Sequence, residues 1–465
     1  MFKNKKWTKK LVPVAVLSTV AFGSLFSGLT DAEASKNKEQ QNNGKIKNVI
    51  VLIGDGMGVS YTSAYRYLAN DPETKIAEPT AFDPYLVGQQ MTYPEDPEEN
   101  VTDSASAATA MAAGIKTYNN AISVDNDGSE VKTVLEAAKE KGKATGLVAT
   151  SEVTHATPAS FGAHDPSRKN MNSIADDYYD ELINGEHKVD VLLGGGLSNF
   201  DRKDRDLTDE FQTDGYSYVT NKEDLLKDKN EQILGLFAPV GLPKMIDRPE
   251  ETPSLAEMTD AALSRLSQDK DGFFLMVEGS QVDWAGHDND IVGAMSEMKD
   301  FEKAFQAAIE FAKKDKHTLV VATADHSTGG YSIGADGIYN WFSEPIQAAK
   351  RTPDFMAEKI ANGADVEETL KKYIDQKILP LTNEEIQSVK EAAGTKKTVD
   401  IDNAIEEIFN KRSHTGWTTG GHTGEDVPVY AYGPQSEKFA GQIDNTQIAK
   451  NVFDALKYDI KIDDK

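Results

Sequence analysis

Five short runs of the chain are almost continuously apolar rather than alternately apolar and polar: residues 48–54, 144–150, 189–196 (apart from Asp190), 273–277 and 318–324. A strand with one face in water alternates. A run that does not alternate, is rich in β-branched residues and ends at glycine or a turn must be covered on both faces. Helical patterns separate these runs, around Val131 to Lys141, from Thr259 to Ser267 and from Ile291 to Phe311, the last with Met295, Met298, Phe301 and Phe305 at helical spacing. Such alternation predicts an α/β fold, a large, mostly parallel central sheet sandwiched between helices. Sheets of this kind gather their functional groups beyond the carboxyl ends of the strands. Here Asp55, Glu278 and the pair Asp325-His326 fall at the ends of three separate runs. The segment Gly54-Asp55-Gly56-Met57-Gly58 is only weakly like a nucleotide-binding glycine loop, because a carboxylate inside the turn would repel a pyrophosphate unless a cation stood between them. An acid in that place suggests metal.

The stretch from Val101 to Gly114 reads as a tight helix. Thr102 or Asp103 can cap it, the alanines favour it, and Gly114 can end it. Ser104 then sits in the first turn, where unpaired backbone N–H groups and the positive end of the helix dipole suit a phosphate and help an alkoxide form. An ordinary capped helix lying close on a sheet would look the same. The distinction has to come from the groups that could meet over Ser104.

The termini bear on compartment. Lys3, Lys5, Lys6, Lys9 and Lys10 precede an apolar run to about Leu29, and Ala32-Glu33-Ala34 supplies a cleavage pattern, so residues 1–34 read as a secretory signal peptide, with serines and a threonine arguing against a membrane anchor. Residues 35–46 are polar and read as a flexible tail, and structure is expected from Lys47 onward. The formal charge of −26 deepens to about −29 once a segment with five lysines and two acids is removed, which disfavours nucleic acid and anionic lipid as partners. There is no cysteine in 465 residues, so an exported chain of this kind must hold together through a large core and metal ions. One large domain, residues 47–465, fits the continuous α/β pattern, with residues 344–412, charged and helical, as an inserted helical cap. Pro428 in the run from Val427 to Tyr432 points to an edge strand.

Three of only eight histidines, His287, His326 and His422, lie in turns rich in glycine or aspartate. Asp283 and His287 stand four apart, so one helical turn would place both on one face. Imidazole with carboxylate and no thiolate suits zinc, whereas Asp55, Glu278 and Thr157 form an oxygen-only set that suits magnesium. Arg168 follows Thr157 by eleven residues. Its fork would matter if it reached a phosphate.

Asp55, Asp103-Ser104-Ala105, Thr157 to Arg168, Glu278 to His287, Asp325-His326 and His422-Thr-Gly, in that order from about residue 47 to the C-terminus, together resemble the alkaline phosphatase family. The resemblance implies a secreted phosphomonoester hydrolase with an alkaline pH optimum, a broad range of small phosphomonoester substrates and a homodimeric assembly. It implies Ser104 as the nucleophile that becomes a phosphoserine and Arg168 as the holder of two phosphate oxygens. It implies two zinc ions, one on Asp283, His287 and His422 and one on Asp55, Asp325 and His326, with a magnesium ion on Asp55, Thr157 and Glu278. Two positions depart from the best-known bacterial pattern: His155 stands where that pattern has aspartate, and Trp284 where it has lysine. These put the third metal and the strength of phosphate binding in question. A related phosphodiesterase or sulfatase, and a secreted binding protein without turnover, are the competing readings. Comparing turnover of monoester, diester and sulfate separates them.

Overall fold

Alternate residues of the apolar runs feed two separate cores, one on each face of a single sheet, which is why no polar face interrupts them. In β1 (Asn48–Gly54), Ile50 and Leu52 enter one core and Val49, Val51 and Ile53 the other. Phe273, Leu275 and Val277 divide in the same way from Phe274 and Met276. The computed structural model describes residues 45–458 apart from 72 and 75. The signal peptide and the polar segment up to residue 44 lie outside the described residues. Ile46, which the sequence assigns to a flexible tail, is instead a core residue at 9% exposure, so ordered packing starts ahead of Lys47.

The remaining strands of the sheet are β2 (Leu86–Met91), β3 (Ala144–Glu152), β4 (Val191–Gly195), β5 (Ser217–Val219), β6 (Ile233–Leu236), β7 (Phe273–Gly279), β8 (Thr318–Thr323), β9 (Val427–Tyr432) and β10 (Gly441–Asp444). Their order across the sheet is β10-β2-β9-β8-β1-β7-β3-β4-β6-β5. Only β9 opposes its neighbours in this sheet; the other strands share one direction. The expected large, mostly parallel sheet between helices is thus the fold observed.

Pro428 corrects one expectation. Its strand is not an edge but lies third from one side, between β2 and β8. The ladder to β8 covers only Tyr430 to Tyr432. The carbonyl of Pro428 accepts from the Thr323 hydroxyl, so the side of the residue that lacks an N–H faces β8 beyond the paired stretch, and no ladder bond is lost. The true edges, β10 and β5, are short, and neither they nor β2 and β6 stand out in the sequence.

The helices that position the site are α1 (Ser104–Ala113), α2 (Ala156–Gly162), α3 (Leu255–Leu266), α4 (Gln281–His287) and α5 (Ile291–Asp315). All ten residues of α1 are buried, between α2 and the C-terminal helix Thr446–Ala455. A helix enclosed on every side needs small side chains, and the alanine run supplies them. Asp290 caps α5 by accepting from the N–H groups of Val292 and Gly293, an arrangement worth about 1 kcal/mol. Residues 344–413 include α6 (Glu344–Gln347), α7 (Pro353–Ala361), α8 (Val366–Tyr373), α9 (Asn383–Ala393) and α10 (Thr398–Ser413).

Candidate active site

The central strands β8, β1, β7 and β3 are consecutive in the sheet and parallel, so their carboxyl ends form one row about 4.8 Å apart from strand to strand. Asp55 leaves β1 and Asp325 leaves β8. Glu278 is the penultimate residue of β7, level with Ile53 and Ala149, and β3 leads into His155, the N-cap of α2. Sheet spacing alone therefore brings acids and imidazoles from distant parts of the chain within reach of one ion. Gly56 turns the chain away behind Asp55 at φ +73°, and a Cβ there would lie 2.7 Å from the Cα of Asp283. Both the conformation and the close approach require glycine.

Three groups converge on one point at the outer side. His287 Nε2 lies 3.3 Å from Asp283 Oδ2, His422 Nε2 lies 3.1 Å from His287 Nε2, and His422 Nε2 lies 3.5 Å from Asp283 Oδ1. Ligands about 2.1 Å from a tetrahedral zinc are about 3.4 Å apart, so these separations are those of its coordination edges. The far nitrogens are fixed by carbonyls: His287 Nδ1 donates to Gly420 O and His422 Nδ1 to Thr102 O. In the neutral rings both Nε2 lone pairs then face each other and the Asp283 carboxylate. A proton on His287, which Asp283 pushes up to about 9, or a cation shared by all three, resolves that repulsion.

The inner set is Asp55, Asp325 and His326, none of them exposed. His326 Nε2 is 3.2 Å from Asp325 Oδ2 and 3.5 Å from Asp55 Oδ1. The other oxygen of Asp325 accepts from the N–H groups of Gly56 and His326. Both Asp55 oxygens and Asp325 Oδ2 are buried with no hydrogen-bond partner among the described residues. Burial, with Asp325 and Asp283 nearby, raises the Asp55 carboxyl well above its usual range. Ligand atoms of Asp283, His326 and His422 also lie within 4.8 Å of one another, and the rings of His326 and His422 stack at 3.6 Å, so the outer and inner sets share one wall.

A third set joins Asp55 to Glu278 and His155, again within 4.8 Å. Glu278 Oε2 accepts from the hydroxyls of Ser280 at 2.7 Å and Ser151 at 3.1 Å, while Oε1 and the Thr157 hydroxyl are buried without partners. Burial lifts Glu278 to about 7, against the Ser280 hydroxyl. The orphaned atoms of this chain thus include donors from all of the oxygen-rich positions singled out in the sequence, and their chemistry fits hard and borderline cations.

Ser104 is the first residue of α1 and its Oγ lies 3.2 Å from His326 Nε2. Asp103 caps the helix through the Ser106 N–H. Its second oxygen accepts from the Asn120 N–H and from Arg168 Nη1, each at 3.0 Å. Arg168 Nη2 donates to His155 Nε2 at 3.0 Å. Burial and Arg168 drop His155 to about 3, so the ring is neutral. Trp284 stands with its ring edge-on to His155, centroids 5.8 Å apart, and a Cβ on Gly241 would be 2.5 Å from the indole. The structure brings every singled-out residue into this one region. Reading the sequence missed Thr328, which hydrogen-bonds Asp283, and the Ser151 and Ser280 hydroxyls on Glu278. Thr328 had a signal, a hydroxyl two residues past His326 and ahead of Gly329-Gly330. A cavity of about 400 Å³ opens beside this centre, lined by Glu98, Glu99, Thr102, Asp103, Asn119 and His422 among others.

Known proteins match the chain over almost its whole length. The family model described as alkaline phosphatase matches residues 46–458. Alkaline phosphatase 3 of Bacillus subtilis is 77% identical over 99% of this chain and 100% of its own length. The cold-active alkaline phosphatase of a psychrophilic Shewanella superposes with a TM-score of 0.82 at 40% identity, over 88% of this chain and 99% of that one. A variant of the alkaline phosphatase from the Antarctic bacterium TAB5, with a histidine replaced by aspartate and Mg bound in its M3 site, superposes with a TM-score of 0.64 at 31% identity, over 90% and 99%.

Proposed function

The chain belongs to the alkaline phosphatase family of phosphomonoester hydrolases, and on that premise we propose that it works through a covalent phosphoserine on Ser104. The carrying observation is the place of the Ser104 hydroxyl, at the amino end of a wholly buried helix and 3.2 Å from an imidazole that also faces the unpartnered oxygens of Asp55 and Asp325. Asp283, His287 and His422 would hold one zinc ion, Asp55, Asp325 and His326 a second, and Asp55, Thr157 and Glu278 a magnesium ion. Ions held there supply Lewis acidity at both ends of an in-line displacement and keep the neighbouring carboxylates ionised.

The chain's own groups do the rest. Asp103 takes the N–H of Ser106, which leaves the N–H groups of Ser104 and Ala105, at the positive end of the helix dipole, for the phosphoryl oxygens. Arg168 is held from both sides by Asp103 and His155, and two of its five N–H donors suffice for that, so a planar fork is left for two phosphoryl oxygens. The Ser104 oxygen attacks phosphorus, the alcohol leaves, and water later attacks the phosphoserine, giving retention through two inversions. An alkaline optimum follows from the family resemblance. The neighbouring cavity carries carboxylates and short polar groups rather than an apolar slot, which supports a broad substrate range. Its lysine-led apolar amino terminus supports export, and no helix among the described residues is long and apolar enough to cross a membrane. A homodimer follows from the family resemblance.

The test is acid trapping. Protein quenched from labelled phosphate at low pH should carry the label on Ser104, and Ser104→Ala should lose turnover by several orders of magnitude while keeping its fold and zinc content, since alanine favours the helix and the proposed ligands are untouched. Label on Ser106 or Thr109 would defeat the assignment.

A further inference from the structure

A second gathering of acids lies where the inserted helices meet the segment that follows His287, and the chemistry above does not use it. Asp288 ends α4, Asp290 caps α5, Asp354 lies in the first turn of α7, and Asp402 and Glu406 stand one turn apart on α10. Oxygens of Asp288, Asp354 and Asp402 lie within 4.8 Å of one another. Lys244 is the cation of the group, 2.5 Å from Asp354, 3.2 Å from Asp290 and 3.5 Å from Asp288. One ammonium reaches three of the five carboxylates.

The acids are not equally provided for. Asp290 spends one oxygen on the N–H groups of Val292 and Gly293, 2.9 Å each, and the other on Lys244. Asp402 and Glu406 are 4% and 5% exposed, and Asp402 Oδ1 and Glu406 Oε1 have no hydrogen-bond partner among the described residues. A buried carboxylate without a partner is unfavourable unless it takes up a proton or a cation. Burial and the neighbouring acids push Asp402 up to about 9 and Glu406 to about 11. The Asp288 and Asp354 side chains, in contrast, are 32% and 45% exposed and open the group to solvent.

We propose that this cluster binds a calcium ion, with Asp288, Asp354 and Asp402 as direct ligands and Glu406 holding a water ligand behind Asp402. The ligand set is carboxylate oxygen throughout, which excludes softer ions, and Lys244, paired with Asp288 and Asp354, has to give way as the ion enters. Calcium accepts an irregular, flexible shell of about six to eight oxygens such as this partly exposed set with added waters, whereas magnesium demands a near-ideal octahedron and gives up its waters reluctantly. The exposed side admits the ion and the waters that complete its shell. The bound ion ties α7 and α10 of the inserted segment to the residue next to His287. This inference does not depend on the role of Ser104.

The experiment uses the full chain loaded with zinc and magnesium and freed of excess metal. Calcium chloride is titrated in while bound calcium is measured by equilibrium dialysis and unfolding is followed by heating. One calcium per chain should bind, and the melting temperature should rise by several degrees. The double variant Asp402→Asn, Glu406→Gln should melt higher than the parent without calcium, because two unpaired acids are gone, yet bind none and show no rise. Asp354→Asn, on the solvent side, should weaken binding at least tenfold and serves if the double variant does not fold. Absence of calcium uptake by the parent overturns the proposal, as does equal uptake by the double variant. Displacement of the calcium by magnesium at equal concentration also overturns it.

Discussion

Chelation should turn Glu278 from a proposed ligand into a liability whose size depends on pH. The side chain is fully buried, and two serine hydroxyls bond one of its oxygens while the other has no partner. Without a cation the folded protein holds the Glu278 proton up to about pH 7, against an ordinary value of 4.5. The native state then binds more protons than the unfolded chain between those two values, so stability falls as pH rises through that window. Below pH 4.5 there is no penalty, and above 7 it is complete. At about 1.4 kcal/mol for each tenfold in proton affinity the loss is about 3 kcal/mol. Asp55, also raised by burial and its acidic neighbours, acts in the same direction. Asp283 and Asp325, held low by His287 and His326 against their burial, lose their contribution only as pH falls below the usual aspartate range and so do not enter this window.

The measurement is thermal unfolding in excess chelator from pH 4.5 to 7.5, for the parent and for Glu278→Gln. Unfolding entropy of about 2 cal/mol/K per residue makes 3 kcal/mol worth about 3–4 °C in a chain of this length. Glu278→Gln should melt higher than the parent by that amount at pH 7.5 and equal it at pH 4.5. With zinc and magnesium restored the order should reverse, since glutamine is the poorer ligand for a hard ion. Parallel profiles for the two proteins in chelator would refute the reasoning, because they would mean that the buried acid is compensated by something other than a cation.

Other outcomes follow from the same contacts. Arg168→Ala should raise the inhibition constant for inorganic phosphate more than it lowers kcat, because the proposed metals still hold the phosphoryl group; a kcat loss as deep as that of Ser104→Ala would contradict this. Trp284→Lys should tighten phosphate inhibition, an ammonium at close contact adding up to about 4 kcal/mol at an effective dielectric near 20; an unchanged or weaker inhibition constant would show that position 284 does not act on the phosphate. His155→Asp should strengthen the magnesium requirement, because a third carboxylate joins Asp55 and Glu278, and metal analysis showing no added preference for magnesium over zinc would count against it.

What the sequence revealed and what it hid divide along a physical line. Donors at strand ends were legible because a run of buried residues and the acid that ends it are neighbours in the chain, as with Asp55 after Ile53-Gly54 and Asp325 after Thr323-Ala324. Asp283 and His287 were legible as a pair because helical spacing is local, and α4 places them 3.3 Å apart. Edge strands such as β5 and β10 were not, being only 3 and 4 residues long and partly exposed, so that no periodicity develops. Pro428 misled because its proline rule is about the ladder and not about the edge: a central strand can carry proline where its neighbour's ladder has already ended. Nor could spacing show that His326 also approaches Asp283 and His422, since that depends on two rings stacking after the sheet has formed.

The Arg168 contact carries a consequence for the third set that no residue pattern contains. Arginine is always a donor, so His155 Nε2 must accept from it, and a neutral imidazole that accepts at Nε2 carries its proton on Nδ1. His155 Nδ1 then carries a buried N–H, not a lone pair, with no hydrogen-bond partner among the described residues. It can bond a carboxylate or a metal-bound water, but it cannot itself ligate zinc while Arg168 stays in place. On the proposed roles, the guanidinium then protects the oxygen character of the third set as well as holding phosphate. It follows that the Arg168→Ala protein should admit zinc where magnesium is proposed, because the ring is free to exchange tautomers and turn a nitrogen lone pair toward the acids. Metal analysis of that variant grown with both ions in supply separates this from a simple loss of phosphate grip, which would leave the zinc-to-magnesium ratio unchanged.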